Sequence, residues 1–217
     1  MPPTSNSTRL IVFARAPRPG AVKTRLIPLL GVNGAATLHA QLVEHTLATA
    51  CAAGIGAVEL YCAPHAGDPF FGYCASRHEV SLASQADGDL GARMLDAFAR
   101  TLPHARHAVL IGTDCPVLTA SHLRQAARAL AEGSDAVLVP AEDGGYALIG
   151  LGRCDAALFQ GIEWGSAKVM ATTRERLHQL QWRWKELEIL WDIDRPEDYR
   201  RLLATGLLGP DPCANAG

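Results

Sequence analysis

An apolar run that ends in a carboxylate carries the most chemical content in this sequence: Ala108-Val109-Leu110-Ile111-Gly112-Thr113-Asp114-Cys115-Pro116. Four apolar residues in a row read as a strand buried on both faces. Pro116 stops it from continuing. In an open parallel sheet, ligands bind beyond the carboxyl ends of the strands. Asp114 is then placed to hold a divalent metal, and the metal to hold a diphosphate. The plainer alternative is that Asp114 only caps the next turn.

Three other segments could contribute to the same chemistry. Arg15 to Leu26 follows the first strand and holds Arg15, Arg18, Lys23 and Arg25, with two prolines and one glycine. Gly20 lets a backbone approach a ligand closely, and Lys23 and Arg25 can neutralise phosphate oxygens, Arg in a bidentate manner. It is not a Walker loop, because Val22 stands where that motif needs glycine; a solvated basic loop is the alternative. Asp143-Gly144-Gly145-Tyr146 places a carboxylate on a glycine turn, where Asp143 could take a proton from a hydroxyl nucleophile or bind a sugar hydroxyl. It could equally be a simple acidic turn. Asp192-Ile193-Asp194 sets two carboxylates on one side of an extended segment, a donor set for Mg2+ or Mn2+. We assign Asp194 to the metal and Asp192 to support, with capping of the helix at Pro196 as the other use.

Arg93, in the first turn of a helix capped by Asp89, could reach a phosphate or a substrate hydroxyl, or simply belong to an ordinary capped helix. Trp164 could line a pocket floor, with Ser166 read as a helix cap. The eight histidines have no metal-ligand spacing and read as surface or packing residues. No Gly-x-Ser-x-Gly elbow occurs, which argues against a serine hydrolase.

The elements that must position these groups alternate. Strands are expected at Leu10–Ala14, Ala57–Cys62, Val80–Ala83, His107–Gly112, Ala136–Pro140 and Tyr146–Leu151, with strand composition from Trp182 to Trp191. Helices are expected from Asn33 to about Ala52, after Asp89, after Thr119, from Ser166 and from Pro196. Arg15–Leu30 reads as loop, and Pro64–His78 is ambiguous. The alternation argues for an α/β protein with a mostly parallel sheet covered on both faces.

The chain has 217 residues, which suits one domain over 1–217 with a core at about 9–204 and irregular ends at 1–8 and 206–217. A net charge of −2 gives no electrostatic reason to expect nucleic-acid binding. Six scattered cysteines, none in a Cys-x-x-Cys pair, argue against a zinc site and for reduced thiols in a cytoplasmic protein. The polar start has no apolar core and does not read as a signal peptide. No apolar run approaches the roughly 18 residues that span a bilayer. Oligomeric state is left open.

Taken in order, Phe13-Ala14-Arg15-Ala16-Pro17 with Gly20, Lys23-Thr24-Arg25-Leu26, Asp89-Leu90-Gly91 with Arg93-Met94, Gly112-Thr113-Asp114-Cys115-Pro116, Asp143-Gly144-Gly145-Tyr146 and Asp192-Ile193-Asp194 with Pro196-Glu197-Asp198 resemble the bacterial rSAM/selenodomain-associated transferase 1 family. The resemblance runs from about Leu10 to Leu203. It implies the glycosyltransferase A-type fold, a Rossmann-like three-layer α/β sandwich with a mixed sheet, in the nucleotide-diphospho-sugar transferase superfamily. It further implies that Arg15, Lys23 and Arg25 line nucleotide phosphates, that Asp114 holds a metal and that Asp194 completes it. The implied partners are a divalent metal and a small nucleotide or nucleotide-sugar. Two activities follow: transfer of a sugar from a nucleotide-diphospho-sugar, or joining of a nucleoside triphosphate to a phosphorylated substrate. A typical A-type glycosyltransferase carries Asp-x-Asp at the metal strand. Pro116 at the third position here is closer to the nucleotidylyltransferases. The family commonly has Trp-Ser-Thr where this chain has Trp164-Gly165-Ser166.

Overall fold

A computed structural model describes residues 8–208. Cys213 and most of the two expected irregular ends lie outside the described residues. The strands are β1 (Thr8–Arg15), β2 (Val58–Ala63), β3 (Ser81–Ser84), β4 (His107–Ile111), β5 (Ala136–Pro140), β6 (Tyr146–Leu151) and β7 (Trp184–Glu186). The helices are α1 (Ile27–Ala53), α2 (Pro69–His78), α3 (Leu90–Thr101), α4 (Ala120–Ala131), α5 (Val169–Gln179) and α6 (Pro196–Thr205).

Seven strands form one sheet in the order β3-β2-β1-β4-β6-β5-β7. All neighbouring pairs are parallel except those of β6, which runs against both β4 and β5. That exception has a local cause. Only Ala141–Gly145 separates β5 from β6, and a parallel return needs a dozen or more residues. The chain therefore turns back as a hairpin, with Ala141 N–H donating to Gly145 O at 3.0 Å and Gly144 N–H to Ala141 O at 3.0 Å.

Alternating side chains divide the interior into two apolar layers. Leu10, Val12, Val109, Ile111, Val137 and Val139 pack on one face of the sheet, against Val43 and Leu47 of α1, Phe71 of α2 and Leu123 of α4. Ile11, Phe13, Leu110 and Leu138 pack on the other, against Met94 and Phe98 of α3 and Leu177 of α5. A strand covered on both sides needs apolar residues at every position, which is why β1 and β4 read as unbroken runs. Each fully buried Leu, Ile or Val contributes about 2 kcal/mol from burial.

The order of strands supplies the site. From β1 the chain winds through α1, β2 and α2 to β3 on one side, then returns by way of α3 to β4 on the other. The carboxyl ends of β1 and β4 flank the point where the winding reverses, and a crevice opens there.

Three expectations need correction. The segment 182–191 pairs in the sheet only at Trp184–Glu186, with one further bridge from Ala141 to Leu190. Its remaining length is held by single bonds, Leu187 N–H to Leu138 O and Leu190 N–H to Pro140 O, both 2.9 Å. The supposed loop to Leu30 instead contains a 3-10 turn at Thr24–Leu26, and α1 starts at Ile27, kinked at Gly31, where φ is 70°. The chain also does have one helical stretch, Thr24–Ala53, long and apolar enough by length and composition to cross a membrane, with a mean hydropathy of 1.3 over 18 residues. Leu38, Leu42, Val43 and Leu47 within it are fully or almost fully buried in the fold.

Candidate active site

A cavity of about 500 Å³ opens at the carboxyl edge of the sheet, across the ends of β1, β4 and β6. Asp114 is in its wall, three residues beyond β4. The backbone there is fixed from the other end of the chain, because Ile193 N–H donates to Asp114 O at 2.8 Å. That bond brings the second acidic segment to the first.

Lys23 ties the basic loop to the same point. Its Nζ lies 2.5 Å from Asp114 Oδ1, and it also donates to the Ile193 carbonyl. The Lys23 side chain is 6% exposed and that of Asp114 is 55% exposed, so the lysine is sealed in while the carboxylate keeps one side open to the cavity. Lys23 adopts a left-handed backbone, φ 46°, a conformation unusual for a side-chain-bearing residue and found where surrounding contacts enforce it.

The electrostatics follow from this crowding. Burial pushes the Asp114 carboxyl up, but the charge and hydrogen bond of Lys23, helped by His39 and Arg15, outweigh it and hold the group below the ordinary carboxylate range. Asp192 has no ion pair of its own among the described residues, and Lys23 only partly offsets its rise. Burial, then Asp143, then Asp114 push its carboxyl up to about 6. Asp114, Asp143 and Asp192 all line the one cavity. They form a like-charged, oxygen-only set, which suits a hard divalent cation better than a soft one. Among the described residues no group of three or more His, Cys, Asp or Glu side chains is drawn together tightly enough to be a ready metal shell.

Of the pair expected at the metal, Asp192 lines the cavity beside Asp114. Asp194 does not line the cavity; its carboxylate meets Arg25. The two aspartates diverge because the chain leaves the sheet edge between them. Ile193 bonds to Asp114, whereas Asp194 N–H already donates to Asp198 Oδ2, at 3.1 Å, in the first turn of α6. Arg25, expected on phosphate, is 66% exposed and outside both cavities of the carboxyl edge. Lys23 also faces a carboxylate rather than open space. Gly20 is exposed and lines neither cavity; its φ of 79° is what requires glycine in that turn.

Arg15 and Arg93 belong to the cavity walls. Both line the main cavity and a second one of about 380 Å³ that lies over the ends of β1, β2 and β3. Arg93 Nε donates to Gly88 O at 2.9 Å. Gln85 also borders both cavities, its Nε2 donating to Ala14 O at 3.2 Å and Tyr61 O at 2.9 Å.

Asp143 sits in the β5–β6 turn, with Oδ1 accepting from Gly145 N–H at 2.8 Å. Gly144 makes that turn possible. Its φ is 91°, and a Cβ there would lie 2.3 Å from Ala167 O. Gly144→Ala should therefore destabilise the fold by about 2–4 kcal/mol, a fall in melting temperature of about 5–10 °C, read by thermal denaturation. An unchanged melting temperature would disprove this close approach.

Asp192 gives a pH test. Its carboxyl is raised from 3.8 to about 6 in the folded chain. Between those values the folded state keeps a proton that the unfolded state has lost, so stability falls as pH rises through that window. Asp192→Asn removes the penalty. We expect the variant to be more stable than the parent by about 1–2 kcal/mol at pH 7.5, allowing for solvent screening of a half-buried group, and no different at pH 3.5. Equal stabilities at both pH values would contradict the crowding of the three carboxylates.

His39, expected as a surface or packing residue, is buried and also borders the site. It lines the cavity, donates through Nε2 to the Arg15 carbonyl at 3.1 Å, and its buried Nδ1 has no partner. Burial, partly opposed by Asp114, pulls its pKa down. Nothing in its spacing marks it, because it sits in a helical run beside buried Leu38. Trp164 and Ser166 line the cavity too. Ser166 is not the helix cap: α5 begins at Val169, and Ser166 Oγ instead accepts from Lys168 N–H at 3.3 Å. Cys115 borders the cavity, but burial pushes its thiol up to about 12, out of the range of a nucleophilic thiolate at neutral pH.

Sheet order, crevice and acidic centre together define an α/β fold of the nucleotide-diphospho-sugar transferase class. Residues 46–166, more than half of the chain, match the profile of the family described as an uncharacterized protein conserved in bacteria, DUF2064, and the chain belongs to that family. Among solved structures it is similar to one described as a putative nucleotide-diphospho-sugar transferase from Desulfovibrio desulfuricans G20, at 28% identity and a TM-score of 0.84, over 96% of this chain and 90% of that one. It also resembles 4-diphosphocytidyl-2C-methyl-D-erythritol synthase of Anaerococcus prevotii, at 10% identity and a TM-score of 0.60, over 93% and 99% of the two chains. A Mycobacterium tuberculosis H37Rv protein in complex with manganese matches at 20% identity and a TM-score of 0.56, over 92% and 99%. The last two likenesses concern the fold. No curated protein matches the chain in sequence.

Proposed function

We propose that the chain is a divalent-metal-dependent glycosyltransferase that uses a nucleotide-diphospho-sugar donor. The observation that carries this reading is the meeting of Asp114, Asp143 and Asp192 in one cavity whose cationic rim, Arg15 and Arg93, is shared with a second cavity. The nucleoside part of the donor occupies the second cavity, over β2 and β3. Arg15 and Arg93 meet the diphosphate, where negative charge grows as the sugar leaves. Asp114 and Asp192 hold Mg2+ or Mn2+, which supplies charge neutralisation of the diphosphate. Asp143 orients the acceptor hydroxyl and takes its proton. The hydroxyl oxygen forms the new bond to the anomeric carbon, the bond from that carbon to the diphosphate oxygen breaks, and a nucleoside diphosphate departs. We place the chain in the rSAM/selenodomain-associated transferase 1 group, as one cytoplasmic domain.

A second reading, nucleotidyl transfer, is favoured by one observation. The β4 strand ends in a single carboxylate, with Pro116 where a second would stand. The two separate by their products. The enzyme is incubated with Mn2+ and either nucleotide sugars or nucleoside triphosphates plus phosphorylated acceptors. Release of nucleoside diphosphate from a nucleotide sugar is expected. Pyrophosphate release that depends on a phosphorylated acceptor would overturn glycosyl transfer.

A further inference from the structure

We infer that the acceptor is an uncharged hydroxyl compound with an apolar face that rests on Trp164, not a phosphate ester. The inference rests on the glycosyl-transfer reading above and narrows its second substrate.

The argument starts from the order of groups along the carboxyl edge of the sheet. Gln85 follows β3, Pro64 follows β2, Arg15 ends β1, Asp114 follows β4, and Tyr146 opens β6. Charge is segregated along that line. The two arginines in the main cavity, Arg15 and Arg93, are the ones that also line the smaller cavity on the β2–β3 side. His39, the remaining basic group in the wall, is disfavoured as a cation by its burial. On the β6 side the wall is Tyr146, Trp164 and Val169, with Ser166 and Asp143 as its polar members. None of these five side chains carries a positive charge.

A phosphate ester there would sit nearest Asp143, with no positive charge among Tyr146, Trp164, Ser166 and Val169 to offset it, in a partly desolvated crevice. Like charges in such a place repel strongly and both must be stripped of water. An uncharged hydroxyl meets no such penalty, and Asp143 is the acceptor its proton needs. The aromatic pair suits the rest of the molecule. Tyr146 and Trp164 stand edge to face, 6.5 Å between centroids at 89°. Tyr146 spends its hydroxyl on Met94 Sδ at 3.8 Å. Trp164 packs closely on α3 where Gly91 makes room for it: a Cβ there would come within 2.7 Å of Nε1 and 2.8 Å of Cζ2. A half-buried, rigid indole is a platform for an apolar face, at little conformational cost.

The test uses the full chain with Mn2+ and whichever nucleoside diphosphate raises its melting temperature. Isothermal titration then compares matched neutral and phosphorylated compounds: glycerol and glycerol 3-phosphate, glucose and glucose 6-phosphate, phenyl β-glucoside and its 6-phosphate. We expect each neutral member to bind at least tenfold tighter than its phosphate ester, with the phenyl glucoside tightest. Trp164→Ala should weaken the phenyl glucoside at least tenfold and Trp164→Phe less than threefold, with the nucleotide-induced rise in melting temperature kept in both. Tighter binding of the phosphate esters, no binding of any neutral member, or indifference to both Trp164 variants would overturn the inference while the nucleotide response leaves the donor reading standing. Should no nucleotide raise the melting temperature, the donor reading itself falls, and this inference with it.

Discussion

Asp114→Asn should abolish Mn2+-dependent nucleotide binding and lower transfer by about 10³-fold, roughly 4 kcal/mol of transition-state stabilisation. Asparagine keeps the shape and can still accept a hydrogen bond from Lys23, so packing is largely preserved. What is lost is the formal charge at the one point where the basic loop, the β4 end and the C-terminal acidic segment meet. Lys23 is only 6% exposed and loses its counter-charge, so stability should fall by about 3 kcal/mol even though asparagine still accepts its hydrogen bond. The two effects are separable: a variant that still folds, with a lowered melting temperature, yet gains nothing from nucleotide plus Mn2+. Thermal shift with and without Mn2+, beside a turnover assay, reads both. A variant that still binds nucleotide in a Mn2+-dependent way would identify the chain as a nucleotide-binding module whose carboxylates do no chemistry.

Much of the fold was legible in the sequence because its strands are buried on both faces. β5 and β6 fall at the expected residues, and β1, β2, β3 and β4 within one or two. Three helix starts were legible locally, at Asp89, Thr119 and Pro196, whereas α1 and α5 do not start at Asn33 and Ser166. Asp89 Oδ1 accepts from Ala92 N–H at 2.8 Å, Thr119 Oγ1 accepts from His122 N–H at 3.4 Å, and Pro196 opens α6. The misread elements depend on distant partners. The 182–191 segment has strand composition, yet its pairing is limited to what β5 offers at the sheet edge. α2, in the segment without periodicity, is set by Asp68, whose carboxylate accepts from Phe70 N–H at 3.1 Å and pairs with Arg18, 50 residues earlier.

The candidate site was legible as a set of segments and not as a set of roles. Strand ends and glycine turns mark where a ligand can lie, which is why Asp114, Asp143, Arg15 and Arg93 could be singled out. Which of Asp192 and Asp194 faces the cavity is decided by one backbone bond, Ile193 to Asp114, 79 positions away. Whether Arg25 is free for phosphate is decided by Asp194. Spacing along the chain carries neither fact. Nor does it show that a helix-borne histidine such as His39 faces the strand end and not merely the core.

Lys23→Met should have effects of opposite sign on metal and on turnover. In the structure the ammonium of Lys23 occupies the Asp114 carboxylate that the metal would use, so it stands in for the cation. Methionine keeps most of the buried stem and removes the charge. Without nucleotide, Mn2+ should then bind about tenfold tighter, since a competing positive charge beside the carboxylate has gone. With nucleotide sugar, transfer should fall about 10²-fold, since a cation near the leaving diphosphate has gone as well. Stability should drop by about 1–3 kcal/mol, because the Ile193 carbonyl loses its donor and the left-handed backbone at Lys23 loses the contact that holds it. Lys23→Arg separates charge from fit: it restores a cation, so metal binding should return toward the parent value even where turnover does not. Mn2+ titration followed by electron paramagnetic resonance measures the first effect independently of any reaction. Unchanged or weaker Mn2+ binding in Lys23→Met would mean that Lys23 and the metal do not compete for Asp114. The basic loop would then serve as a strut between β1 and the C-terminal segment and not as part of the cation site.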